Sequence, residues 1–218
     1  MQIIEKDLSK KERDYLFEMG YVCVDTETTG LNYLNDELCT IQLFCEDFSV
    51  IIRFSKYQEY NNLKEVLYAN QVTKIFHNAV FDVSFLMKNL KMDDFGKLVC
   101  TKIASKIANG LEHNNSLKPL LKEYLNIDID KSEQLSNWSN SALSDSQKEY
   151  AINDVKYLYH LWNKLHMDLI SKGLSLIHIS HSLWVLPVSS KGQKIFQLFY
   201  SSISRLPLCN FQYFIYCL

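Results

Sequence analysis

The stretch Tyr21-Val-Cys-Val-Asp-Thr-Glu-Thr-Thr-Gly30 decides the fold. Its opening residues are aromatic or apolar and include two valines, which suits a buried, pleated strand. The run ends in Asp25 and Glu27, and Thr28 to Gly30 is a turn signal. Side chains alternate along a strand, so acids two residues apart share one face. A buried strand that delivers two carboxylates to one face of its end is the element around which the rest of the chain is read.

Outward from it, Glu37 to Cys45 and Phe48 to Phe54 are β-rich runs separated by Glu46-Asp47, which suits a hairpin. Asn61 to Ala69 has helical spacing, with Leu63, Val66 and Leu67 on one face. Thr73 to His77 reads as a strand, Val80 to Leu90 as a helix, and Lys97 to Cys100 as one more short strand. Thr101 to Asn109 and Ser116 to Leu125 read as helices. Ser144 to Ile170 reads as one long helix, with Ser144 and Gln147 placed for a capping box. Strand, hairpin, helix, strand, helix, strand and then helices make an α/β layer architecture, a mixed central β-sheet flanked by helices.

The chain has 218 residues, 47% of them hydrophobic and 22% charged, which fits a globular protein and excludes a disordered or collagen-like one. The 23 basic and 25 acidic residues leave a formal charge of −2. That balance excludes a nucleic-acid binder working by bulk positive charge. It leaves room for a nucleic-acid enzyme, because metal ions can supply the positive charge at a site. The six cysteines show no CxxC pair and no zinc spacing. Cys23 and Cys39 lie in apolar stretches and read as buried thiols, which points to a reducing, cytoplasmic location. Met1 to Arg13 alternates charged and apolar residues, without the pattern of a signal peptide. No stretch is apolar for long enough to cross a bilayer, so no membrane partner is expected.

Composition changes near Gly173. Residues 1–173 hold 20 basic and all 25 acidic residues, a formal charge of −5. The following residues contain only Lys191, Lys194 and Arg205 as charges and are broken by Pro187 and Pro207. Leu174-Ser-Leu-Ile-His-Ile-Ser180 resembles one reading frame of the transposon mosaic end used in sequencing libraries. Residues 174–218 are therefore read as a tail of foreign origin on a domain at 1–173, with a native helical tail as the alternative.

Four acids stand out. Asp25 and Glu27 close the first strand, Asp82 lies near the start of a helix in His77-Asn-Ala-Val-Phe-Asp82, and Asp154 follows Tyr150 by one helical turn. Each has a blander role open to it: a solvated turn, an acid at a helix N-terminus, or an ordinary helix face. Brought together at the sheet edge, they would repel one another and resist ionisation unless divalent cations neutralised them. Oxygen ligands without His or Cys favour Mg²⁺ or Mn²⁺ over zinc.

In this order and context the motifs resemble the DEDD superfamily of 3′–5′ exonucleases, which share an RNase H-like fold. Asp25-Thr26-Glu27 resembles the first motif, His77 to Asp82 the second, and Tyr150-Ala-Ile-Asn-Asp154 the third, with the tyrosine that marks one subtype. Within that subtype the chain is similar to the small stand-alone RNase D-like exonucleases of bacteria. Cys100-Thr-Lys-Ile-Ala-Ser105, Ser116 to Lys118, Lys131 to Trp138 and Leu143 to Gln147 support the likeness, which covers roughly Tyr21 to Lys164. The His77 to Asp82 run also resembles the exonuclease domain of family A DNA polymerases.

The resemblance implies two Mg²⁺ or Mn²⁺ ions held by Asp25, Glu27, Asp82 and Asp154, and an attacking water oriented by Tyr150. It implies release of nucleoside 5′-monophosphates from the 3′ end of single-stranded nucleic acid, RNA in preference to DNA, with no obligate protein partner. A DNA-directed exonuclease and a catalytically silent nucleic-acid-binding domain are the alternatives. Thr28 and its backbone N–H are placed for a terminal 3′-hydroxyl, Leu31 and Phe81 for terminal bases, and Asn78 for the strand. Core packing and turn formation are the simpler roles for Phe81 and Asn78. His77 reads as a packed strand-end residue, Trp138 as a core anchor, and Lys102 and Lys118 as lysines that could meet phosphates or stay solvated.

Overall fold

The computed structural model describes residues 2–174 except 131 and 141. A six-stranded mixed sheet has the order β1-β4-β3-β2-β5-β6. The strands are β1 (Gln2–Ile4), β2 (Tyr21–Thr28), β3 (Leu38–Cys45), β4 (Phe48–Arg53), β5 (Thr73–Phe76) and β6 (Leu98–Cys100). The β2–β3 and β3–β4 pairs are antiparallel, whereas β1–β4, β2–β5 and β5–β6 are parallel. The hairpin expected around Glu46-Asp47 is present, with Glu46 at a positive φ of 49° in its turn.

Two helical layers cover the sheet. One holds α1 (Lys10–Met19), α2 (Asn61–Tyr68) and α3 (Ala79–Leu90); the other holds α4 (Thr101–Asn109), α5 (Leu117–Leu125), α6 (Asp145–Lys156) and α7 (Leu158–Ser171). Alternation on β2 assigns the faces. Val22 and Val24 join the cluster with Leu16, Leu63 and Phe85, while Cys23 joins Leu120, Leu158 and Leu161 on the other side. A smaller cluster of Ile51, Trp138, Leu143, Tyr150 and Ala151 lies under α6.

Besides a short 3-10 turn at Ser132–Leu135, the structure adds a strand and a helix to the expected order. Met1 to Arg13 reads only as alternating charge, yet Gln2–Ile4 forms an edge strand and Lys10–Met19 a helix. Only Leu16 of α1 is fully buried, which explains its weak periodicity. Its ends are nonetheless marked: Ser9 and Glu12 form a capping box, and Gly20 closes the helix at φ 73°, donating its N–H to the Leu16 carbonyl at 3.1 Å.

The single helix expected over Ser144 to Ile170 is two. Ser144 and Gln147 make the expected capping box, but the first helix ends at Lys156 and the second begins at Leu158. The break serves packing. Tyr150 and Ala151 bury against Ile51 and Trp138, whereas Leu158, Leu161, Leu165 and Leu169 bury against α4 and α5. No proline or glycine marks the joint at Tyr157. Of the two cysteines read as buried, Cys23 is buried and Cys39 is half-buried, because Cys39 lies near the end of its strand under the rim of α6. Apart from Leu174, the tail expected over 174–218 lies outside the described residues. No described helix is long and apolar enough to cross a membrane.

Candidate active site

Asp25 and Glu27 project from the end of β2 onto the face covered by α6. Alternation sets their shared side, and β2 pairs there with β3, Asp25 opposite Gln42 and Glu27 opposite Thr40. A register shift between Glu27 and Thr28 ends the regular pairing at the point where the carboxylates emerge. Across from them α6 presents Tyr150 and Asp154 on one face. One carboxylate oxygen each from Asp25, Glu27 and Asp154 lie within 4.8 Å of one another. At that spacing the three oxygens are close enough to share one hard cation after drawing inward by a fraction of an ångström to its usual bond length of about 2.0–2.1 Å. The all-carboxylate donor set fits Mg²⁺ or Mn²⁺.

Asp82 stands apart from this trio. It sits in the first turn of α3, in the opposite helical layer, and is 1% exposed. Its carboxylate accepts a 2.7 Å hydrogen bond from the Thr26 hydroxyl. Thr26, the middle residue of Asp25-Thr26-Glu27, points away from its neighbours by the same alternation that aligns them. Asp82 thus approaches the strand end from the far side of the sheet. Burial pushes its pKa up, and the negative charge of nearby Asp154 adds to the shift.

Tyr150 is 6% exposed. Its hydroxyl is hydrogen-bonded to Asp154, and burial together with the charges of Asp154 and Glu27 pushes its pKa upward. The phenol therefore stays protonated at neutral pH. Trp138 packs against it with ring centroids 5.8 Å apart, confirming Trp138 as a buried anchor. The loop carrying Trp138 is clamped in turn. Gln147 Nε2 donates to Ser136 Oγ at 3.0 Å and to the Asn137 carbonyl at 3.1 Å, and Arg53 donates to the Asn140 carbonyl at 2.6 Å.

The residues expected to meet substrate are more scattered. Leu31 is 87% exposed in the loop after β2, beside exposed Tyr33 and Leu34. Lys88 on α3 steadies that loop by donating to the Tyr33 and Leu34 carbonyls. The Thr28 hydroxyl donates to the Gly30 carbonyl at 2.6 Å, so its proton is committed to the turn. Asn78 precedes α3 with an exposed side chain that makes no capping bond. Phe81 is half-buried and packs on Phe85 at 4.9 Å, one ring edge in the core. His77 is held at Nδ1, 2.9 Å from the Thr101 hydroxyl, which agrees with a packed strand-end histidine. Lys118 pairs with Asp128 at 3.2 Å.

Sequence reasoning alone passes over Thr26, Thr40 and Gln42. Alternation of β2 was the available signal for Thr26. Thr40 and Gln42 lie inside an otherwise apolar strand, and only the register shows that they face the acids.

The 3′-5′ exonuclease family matches residues 2–170, and the chain belongs to that family. Its six-stranded mixed sheet with flanking helices is the RNase H-like fold of such enzymes. DNA polymerase I of Aquifex aeolicus is 30% identical over 165 residues, covering 75% of this chain and 26% of the polymerase. Ribonuclease D of Zymomonas mobilis is 29% identical over 160 residues, covering 72% of this chain and 40% of the ribonuclease. The chain thus spans less than half the length of these curated relatives. Among solved structures, Brucella melitensis NrnC superposes with a TM-score of 0.72 at 33% identity, covering 80% of this chain and 83% of NrnC. NrnC has also been solved bound to pGG and with bound Mg²⁺. Over its described length the chain is thus similar to ribonuclease D and to NrnC within one 3′-5′ exonuclease family.

Proposed function

We propose that this chain is a metal-dependent exonuclease of the tyrosine subtype that shortens single-stranded RNA from its 3′ end, releasing nucleoside 5′-monophosphates. The observation that carries the reading is the convergence of three carboxylate oxygens within 4.8 Å beside a tyrosine hydrogen-bonded to one of them. Ribonuclease D and the pGG complex of NrnC support RNA as the polymer. The likeness to DNA polymerase I keeps DNA as the second reading.

Asp25, Glu27 and Asp154 would hold divalent cations, with Asp82 contributing its carboxylate from the opposite layer. When bound, two such ions supply an activated water and charge stabilisation for the leaving 3′ oxygen. The protein's own contribution is placement. β2 fixes two carboxylates, α6 fixes the third, and the Thr26 hydroxyl holds the fourth in place from the opposite layer. Tyr150, kept protonated with its proton directed to Asp154, would orient the attacking water by accepting from it, and does not act as its base. Leu31 at the loop tip offers an apolar surface to the terminal base, Phe81 the edge of a ring, and Asn78 an exposed amide to the strand. The Thr28 backbone N–H would meet the terminal 3′-hydroxyl.

The test is a time course on 5′-labelled single-stranded RNA and DNA of matched sequence, with the full chain, Mg²⁺, Mn²⁺ or EDTA, and Asp25→Ala as blank. A metal-dependent ladder shortening from the 3′ end, faster on RNA, is the expected result. A faster DNA ladder selects the second reading. Binding to both polymers without any ladder overturns catalysis in favour of a silent binding domain.

A further inference from the structure

The two acids of β2 have cross-strand partners that no motif announces. Asp25 lies opposite Gln42, and Glu27 opposite Thr40. Register partners on antiparallel strands share a face, with Cβ atoms about 4.5–5.5 Å apart. Gln42 and Thr40 are both 0% exposed. Polar side chains buried this deeply cost stability unless they are hydrogen-bonded. One bond is present: Gln42 Nε2 donates to Thr40 Oγ1 at 2.8 Å. Gln42 Oε1 is sealed from solvent and has no hydrogen-bond partner among the described residues. One strand further along the same row stands Ile51, an apolar residue that fills its place without such a penalty. Packing alone therefore gives no reason for an amide at position 42.

A half-turn of the Gln42 amide removes the conflict. The Thr40 hydroxyl then donates to Oε1, and both Nε2 protons are released toward the side that Oε1 faces. The strong acceptor beside Gln42 in the register is the Asp25 carboxylate. We propose that Gln42, braced by Thr40, is a positioning residue: its amide donates to Asp25 and fixes the carboxylate in the orientation that takes a divalent cation. Carboxylates that ligate metals are commonly held this way, and loss of such a partner lowers metal affinity by about 10–100-fold. The proposal rests on the reading of Asp25, Glu27 and Asp154 as a cation site.

The experiment is titration of Mn²⁺ into the full chain without nucleic acid, by calorimetry and by the Mn²⁺ paramagnetic resonance signal, with melting curves of the metal-free proteins. Wild type, Asp25→Asn, Gln42→Met, Thr40→Val and Thr40→Ser are compared. Methionine keeps the volume and removes the amide, so Gln42→Met should melt near wild type. It should bind Mn²⁺ about 10–100-fold more weakly, and its turnover should need correspondingly more Mn²⁺ with an unchanged KM for the oligonucleotide. Thr40→Val should show a smaller loss, which Thr40→Ser restores. If wild type and Asp25→Asn both fail to bind Mn²⁺, the cation reading of the acids falls and takes this proposal with it. If wild type binds and Gln42→Met binds equally tightly, the cation site stands and the role of Gln42 is overturned. Should Gln42→Met not fold, the threonine pair decides: wild-type affinity in Thr40→Val overturns the proposal, and a loss rescued by serine supports it.

Discussion

The Thr26 hydroxyl donates to the Asp82 carboxylate at 2.7 Å, joining the middle residue of the strand motif to an acid on the opposite helical layer. Both groups are buried. The bond opposes the upward push that burial gives the Asp82 pKa. Without the hydroxyl, a buried carboxylate loses a charge-assisted partner, a cost of about 1–3 kcal/mol. Thr26→Val should therefore lower the melting temperature and favour protonated Asp82, so that activity falls most at the acidic end of its pH profile. Thr26→Ser keeps the donor and should restore both. Melting curves and pH–rate profiles of the two variants check this.

Tyr150 makes a separable contribution. Its phenol is protonated and bonded to Asp154, so Tyr150→Phe removes a donor without removing a carboxylate. Misplacement of a reacting group costs about 10²-fold in rate, and a loss of that order in kcat is expected for Tyr150→Phe. Mn²⁺ affinity should fall by no more than the about 10–100-fold that losing one hydrogen bond to a ligating carboxylate costs, and saturating Mn²⁺ should not restore kcat. A phenylalanine variant with wild-type kcat would remove Tyr150 from the reaction.

Metal removal should be visible in stability as well as in rate. Three carboxylates within 4.8 Å repel when no cation lies between them. A cation at 100 times its dissociation constant adds about 2.7 kcal/mol to the folded state. For a chain of this size that is a rise of about 5–10 °C in melting temperature. EDTA should abolish both the rise and the turnover, and Mn²⁺ should restore them. Asp154→Asn should melt no lower than metal-free wild type, since it relieves repulsion, yet show almost no rise on adding Mn²⁺. Differential scanning calorimetry of both proteins, with and without Mn²⁺, makes the comparison.

Much of this was legible in the sequence because the signals are local. The β2 strand, the hairpin at Glu46-Asp47, the helix carrying Asp82 and the Ser144 capping box each depend on alternation, spacing or a cap within one segment. What escaped depends on contacts between segments. The break at Tyr157 exists because the two halves of the helical stretch pack on different clusters, and no residue type marks it. The α1 helix buries too few side chains to show a clear stripe. The separation of Asp82 from the other three acids follows from which layer holds α3, and the burial of Gln42 and Thr40 beside Asp25 and Glu27 follows from strand register.

Lys74 gives a pH dependence of stability that is independent of the site. It lies on β5, 0% exposed, and its ammonium donates to the Ala69 carbonyl at 2.8 Å and stands 6.0 Å from the Phe95 ring centroid. Burial lowers its pKa from 10.5 to about 7, against partial compensation from Asp94. Between those two values the unfolded chain carries a proton that the folded chain does not. Stability contributed by this group is therefore lowest below pH 7 and rises with pH toward 10.5, by up to about 1.4 kcal/mol per pH unit. Tyrosine and cysteine ionisation in the unfolded chain opposes this rise at the alkaline end, so the cleanest reading is the difference from Lys74→Met, which keeps length and removes the charge. From pH 6 to pH 8.5 wild type should gain about 2 kcal/mol relative to Lys74→Met. Urea unfolding of both proteins at intervals across that range measures the slope, and parallel pH curves would show that Lys74 keeps its proton in the folded chain.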